Sequence, residues 1–157
     1  MIDLPSILKL IHVLSGAVLF GTGLGIAFFM VWATRTRDAR VVADVARIVV
    51  VADFVFTATA VVVQPLTGLW LVHLLGYGLT EPWLLAAYGL YGFTGLCWLP
   101  VVWIQWRMAR LAEAAAARGE GLPPAYDRLY WTWFALGWPA FAAVIGIYAL
   151  MLFKPAL

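Results

Sequence analysis

The sequence predicts an all-α membrane protein: a four-transmembrane-helix bundle with both termini on the outer side. Three observations carry this. Residues 10–34, 54–80, 82–106 and 129–153 contain no formal charge, in runs of 25, 27, 25 and 25 residues. About 20 apolar residues of helix cross the hydrocarbon core of a bilayer. All 18 charged residues of the 157 therefore fall in the other 55 positions; the charged fraction is 11% and the hydrophobic fraction 65%, where soluble domains carry about a quarter charged residues. The basic residues are also sorted. Arg35, Arg37, Arg40 and Arg47 lie between runs one and two, Arg107, Arg110, Arg118 and Arg128 between runs three and four, and only Lys9 and Lys154 fall on the opposite side. Cytoplasmic loops carry the excess of Lys and Arg, so both arginine loops are expected inside.

This pattern excludes a soluble enzyme, a disordered chain and a nucleic-acid-binding domain. Ten-residue alternating strands of a β-barrel do not match continuous apolar runs. One integral domain, 1–157, is expected, with the lipid bilayer as its first partner. The single cysteine, Cys97, excludes an intrachain disulfide or a thiolate metal cluster within one chain. The first run is too long for a cleaved signal and reads as a retained span.

The spans follow in order. Span one covers about 6–33, with Pro5 suited to its first turn. Residues 34–47 read as a short basic connection. Span two covers about 48–75, with a kink expected at Pro65. Gly76 and Gly78 mark the outer turn. Span three covers about 83–106, and 107–118 should extend its helix into the cytoplasm. Gly119, Gly121, Pro123 and Pro124 end that extension. Span four covers about 127–153. Trp32, Trp103, Trp106, Trp131 and Trp133 are expected as anchors at the inner boundary, with Trp83 and Tyr77 at the outer one.

Polar residues inside these spans carry the functional signal. On a straight helix Asp53, Thr57, Gln64 and Thr67 share an arc of about 80°. Tyr91, Thr94, Trp98 and Gln105 share a similar arc on span three. Lipid offers no hydrogen bonds, so both stripes should face the bundle interior. Asp53 has two readings: an ion pair with a loop arginine such as Arg107, or part of a proton path with Thr57 and Gln64. Gln64 should hydrogen-bond between helices. Gly21 and Gly25 form a G-x-x-x-G expected to serve packing within the chain, with a dimer seam as the alternative.

His12 lies about two turns into span one, on a face with Gly16 and Gly23. A histidine at membrane depth marks a candidate site. Small neighbours leave room for a flat macrocycle, and neutral imidazole is a common axial ligand of haem iron. The alternative is a histidine hydrogen-bonded to a neighbouring helix. His73 falls at similar depth but about 160° from the Asp53 stripe, which reads as an interfacial residue.

The motifs L-K-L-I-H at 8–12, A-D-F-V-F-T at 52–57, Q-P-L-T-G at 64–68, C-W-L-P-V-V-W-I-Q at 97–105 and K-P at 154–155 resemble, over nearly the whole chain, an uncharacterised bacterial family of four-span integral membrane proteins. More distantly, the chain is similar to HemJ-type protoporphyrinogen oxidases and CopD-type copper-resistance proteins. The shared pattern is Lys-x-x-His followed by glycines in span one, a P-x-x-x-G-like element in span two and Lys-Pro after span four. This resemblance implies haem b held by His12 in a bacterial cytoplasmic membrane, serving electron transfer or tetrapyrrole redox chemistry. The HemJ pattern has a functional lysine near the start of span three, where this chain has Ala86 or Ala87; the resemblance therefore bears on haem binding more than on porphyrinogen oxidation. Other readings are proton or small-solute transport by an oligomer, and a non-catalytic subunit or assembly factor. A homo-oligomer or a redox partner would complete them.

Overall fold

A computed structural model describes residues 3–155. Four helices are long and apolar enough to cross a membrane: the first (Leu4–Thr36), second (Ala39–Leu74), third (Pro82–Arg118) and fourth (Pro124–Phe153). No strand occurs among the described residues. Asp3 caps the first helix by accepting from the Ser6 amide at 3.0 Å. Gly76 and Gly119 end the second and third with φ of 74° and 68°, a left-handed conformation that costs glycine nothing.

The expected basic connection at 34–47 is almost entirely helix. Only Arg37 and Asp38 separate the first two helices. Asp38 caps the second by accepting from the Arg40 amide at 2.8 Å. The amphipathic pattern of 39–52 explains the difference: Ala39, Val42, Ala43, Ala46 and Val49 are buried on one face, with charged residues between them. They pack on Met108, Ala109, Ala112 and Ala115 of the third helix, in one cluster with Met30, Tyr126 and Trp133. Alanines let the two backbones approach closely. Tyr126, fully enclosed, shares a hydrogen bond of 2.7 Å with Thr34.

Charge pairs stand at this arginine end. Arg37 binds Asp127 through both carboxylate oxygens, at 2.5 and 3.2 Å, and Arg47 reaches Glu113 at 3.5 Å. Arg35, Arg107 and Arg110 lie over the rings of Trp32, Trp103 and Trp106. Those three tryptophans and Trp131 are exposed, as interfacial anchors require, whereas Trp133 and Trp83 are buried. The latter two turn inward because each has an interior partner: Gln105 for Trp133, and the Tyr77 ring for Trp83 at 5.6 Å.

The opposite, lysine end is looser. First and second helices pair with each other, and third with fourth, but close backbone contact between the two pairs is sparse beyond Ala58. Side chains bridge the interval. Phe20 meets Phe141 and Tyr148 edge-on at 5.9 and 6.0 Å. Lys154 donates to the Tyr77 hydroxyl at 2.6 Å and sits over the Tyr77 and Trp83 rings, fastening the end of the fourth helix to the turn after the second.

The second helix is unbroken at Pro65. Proline has no N–H, so the Val61 carbonyl four residues earlier loses its partner. The Tyr91 hydroxyl of the third helix donates to it at 2.5 Å. This explains how a proline is tolerated in a lipid-embedded helix. Gly21 and Gly25 have no atom within 4 Å of where a Cβ would stand. The expected packing role of that G-x-x-x-G within the chain is therefore absent, because the face points away from the bundle.

Candidate functional site

The polar residues of the bundle form two separate clusters rather than one stripe. The cause is local. Residues Asp53–Thr57 form a π-helical turn. Such a turn accommodates about one extra residue, which rotates everything downstream by about 100° relative to a straight helix. Asp53 consequently faces the third and fourth helices, while Gln64 and Thr67 face the first.

The first cluster surrounds His12. Its Nδ1 lies 3.1 Å from the Gln64 carbonyl and 3.0 Å from the Thr67 hydroxyl. A proton on Nδ1 satisfies the carbonyl, an acceptor only, and leaves Nε2 with its lone pair. Nε2 is 3.3 Å from Gln64 Nε2, a long contact in which the amide N–H donates. The Ser15 hydroxyl donates to Gln64 Oε1 and lies 3.0 Å from the His12 carbonyl. Gly68 makes the arrangement possible: a Cβ there would stand 3.0 Å from His12 Cε1. Gly68, between Thr67 and the helix end, was signalled in the sequence only as the last letter of Q-P-L-T-G.

The space beside Gly16 and Gly23 is not open. A Cβ at Gly16 would meet the Tyr148 hydroxyl at 3.1 Å and Gln64 Nε2 at 3.3 Å; one at Gly23 would meet Phe141 Cζ at 3.3 Å. The expected room for a macrocycle is filled by three side chains, which lipid-embedded helices draw in to avoid voids. For haem, the ligand end fits: an imidazole with its Nδ1 fixed on a carbonyl and Nε2 toward the interval between helix pairs. The plane of a macrocycle would require Gln64, Tyr148 and Phe141 to swing aside. The atoms nearest to both glycines belong to side chains.

The second cluster surrounds Asp53, which is 5% exposed. Trp98 Nε1 donates to Oδ1 at 3.3 Å. Trp133 Nε1 can only donate, so it orients the Gln105 amide: Gln105 Oε1 accepts from Trp133 at 3.2 Å, and its NH₂ donates to Asp53 Oδ2 at 3.3 Å. The expected ion pair is not formed. Arg107 lies 5.7 Å from the centre of the Trp103 ring instead, reaching toward the polar end of the helix where a guanidinium keeps its hydration. The Thr57 hydroxyl is enclosed without a hydrogen-bond partner.

Tyr91 serves the Val61 carbonyl. Thr94 turns back on Leu90 of its own helix at 2.9 Å and joins neither cluster. His73 is exposed on the far face of the second helix from His12. Cys97 is a buried free thiol. Among the described residues, no group of three or more His, Cys, Asp or Glu could hold a metal ion; haem iron, whose remaining ligands come from the macrocycle, needs no such group.

The family described as "Predicted integral membrane protein (DUF2269)" matches residues 6–155. The chain belongs to this family. No curated protein and no solved structure matches it significantly.

Proposed function

We propose that this integral membrane protein binds haem b through His12 Nε2 and serves electron transfer or tetrapyrrole redox chemistry, in a bacterial cytoplasmic membrane with its arginine end inside. The observation that carries the reading is the Nδ1 contact to the Gln64 carbonyl, 3.1 Å. Metal-bound histidines characteristically give their other N–H to a carbonyl or carboxylate, which fixes ring and tautomer and raises ligand basicity. Here that acceptor is backbone of a neighbouring helix, close to Pro65. Gly68 keeps the ring free of steric pressure. Ser15 holds the Gln64 amide over Nε2, so Gln64 acts as a side-chain plug that yields to an incoming ligand.

When bound, haem supplies one-electron chemistry. The chain supplies an apolar, water-poor surrounding and one oriented imidazole. Phe20, Phe141 and Tyr148 line the interval between the helix pairs, which suits a flat aromatic ligand.

The test is a reduced-minus-oxidised optical spectrum of detergent-purified protein. A Soret band is expected, lost in His12→Ala and retained in Gln64→Ala, which removes only the plug. Absence of a band in wild-type protein supplied with haem, or a band indifferent to His12→Ala, ends this reading.

A further inference from the structure

Asp53 plays no part in the site above. Its surroundings pose a charge problem. None of the three ion pairs among the described residues includes it: those join Arg37 to Asp127, Arg47 to Glu113 and Arg118 to Glu120. The groups that face it are neutral: Trp98 and Gln105 of the third helix, Trp133 of the fourth through Gln105, and Thr57 of its own helix. Of the charged residues flanking its span, Arg47 holds Glu113, while Arg35 and Arg107 lie over Trp32 and Trp103. On the third helix Cys97 is a buried thiol, and Tyr91, half-buried, is engaged with Val61.

A carboxylate here would bring an uncompensated negative charge into the apolar part of the bundle, which is costly. Its two donors, both at 3.3 Å, are neutral N–H groups that bring no compensating charge. A neutral acid removes that charge while its oxygens still accept from the two N–H groups; the Thr57 hydroxyl, on the same turn, has no hydrogen-bond partner. The π-helical turn that carries both residues is a feature frequent at functional sites.

We propose that Asp53 binds a proton inside the bundle, as a neutral carboxylic acid, and exchanges it with water at the arginine end. Arg47, six residues earlier, is exposed there, about 9 Å away along the helix. This inference is independent of haem binding.

The test uses the full protein in lipid nanodiscs with the lipid-soluble reagent dicyclohexylcarbodiimide. A protonated carboxyl gives its proton to a carbodiimide nitrogen while its oxygen adds to the central carbon; rearrangement leaves a stable N-acylurea on the residue. Peptide mass spectrometry locates the adduct. At neutral pH we expect modification at Asp53, declining as the pH is raised, with a water-soluble carbodiimide modifying loop carboxyls instead. An infrared difference spectrum, wild type minus Asp53→Asn, should contain the carbonyl stretch of a carboxylic acid at the same pH. An unmodified Asp53 in folded wild-type protein overturns the proposal without recourse to any variant.

Discussion

The arginine end and the lysine end of this bundle are held together by different forces. At the arginine end, where helix faces project toward water, Ala39, Val42, Ala43 and Ala46 bury against Met108, Ala109, Ala112 and Ala115. That is the hydrophobic effect at work as in a soluble helical protein. Toward the lysine end the buried apolar cluster shrinks to Val72, Trp83 and Leu84. Lipid tails are as apolar as leucine, so burial there gains little, and hydrogen bonds and packing must join the helices. The contacts found are of that kind: His12 and Ser15 with Gln64, Tyr91 with the Val61 carbonyl, Lys154 with Tyr77. One end is packed by backbone-close burial; the other is joined by a few polar contacts and aromatic bridges, with Gln64, Tyr148 and Phe141 filling the space beside Gly16 and Gly23.

Substitutions can break this contrast, and the largest effect is expected where the two modes meet. Gln105→Leu strands the Trp133 N–H and removes a donor from Asp53. Each stranded buried group costs about 1–3 kcal/mol, and a fall in thermal midpoint in detergent should report it. A midpoint equal to wild type would mean the Trp133–Gln105–Asp53 chain is not formed. Gly68→Ala is expected to follow, at about 1–3 kcal/mol of overpacking, because its Cβ would press on the His12 ring at 3.0 Å. Gly21→Ala is the control: with open space at that position, it should change stability by less than about 0.5 kcal/mol. If both alanines cost the same, the His12–Gly68 contact is wrong.

Tyr91→Phe removes the hydroxyl that serves the Val61 carbonyl left free by Pro65. Interhelical hydrogen bonds in membranes average about 0.6 kcal/mol and reach about 1.7. Pro65→Ala restores the helical partner, so adding it to Tyr91→Phe should recover the loss; failure to recover it in a double-mutant cycle counts against this pairing. Apart from the Gly21→Ala control, Arg37→Ala should have the smallest effect, below about 1 kcal/mol. Its pair with Asp127 is exposed, and what stability it gives should fall as salt is added.

Much of the fold was legible in the residues. Four uncharged runs name four helices, and the extension of the third helix through 107–118 followed from its alanine-rich composition. The arginines of segment 34–47 suggest a connection, while the buried spacing of Ala39, Val42, Ala43 and Ala46 is that of a helix face. Of the polar residues, His12, Asp53, Gln64 and Gln105 were all identifiable, since charge and amide groups are conspicuous among aliphatic ones. Their grouping was not. The single stripe Asp53–Thr57–Gln64–Thr67 assumes an unbroken 3.6-residue period, and the turn at 53–57 departs from it. Trp133 read as an interfacial anchor because tryptophan at a span boundary usually is one; only the position of Gln105 on another helix turns it inward.

The sequence by itself determined that this is a four-helix integral membrane protein, because excluding charge from lipid is a property of composition that needs no knowledge of neighbours. It also determined which few polar side chains stand inside. The tertiary structure decided their partners: that His12 rests on the Gln64 carbonyl, that Asp53 meets neutral donors in place of an arginine, and that Tyr148 and Phe141 occupy the space beside the glycines. A hydrogen bond depends on ångström distances between helices, and those are set by packing and by one wide turn, neither of which a helical period records.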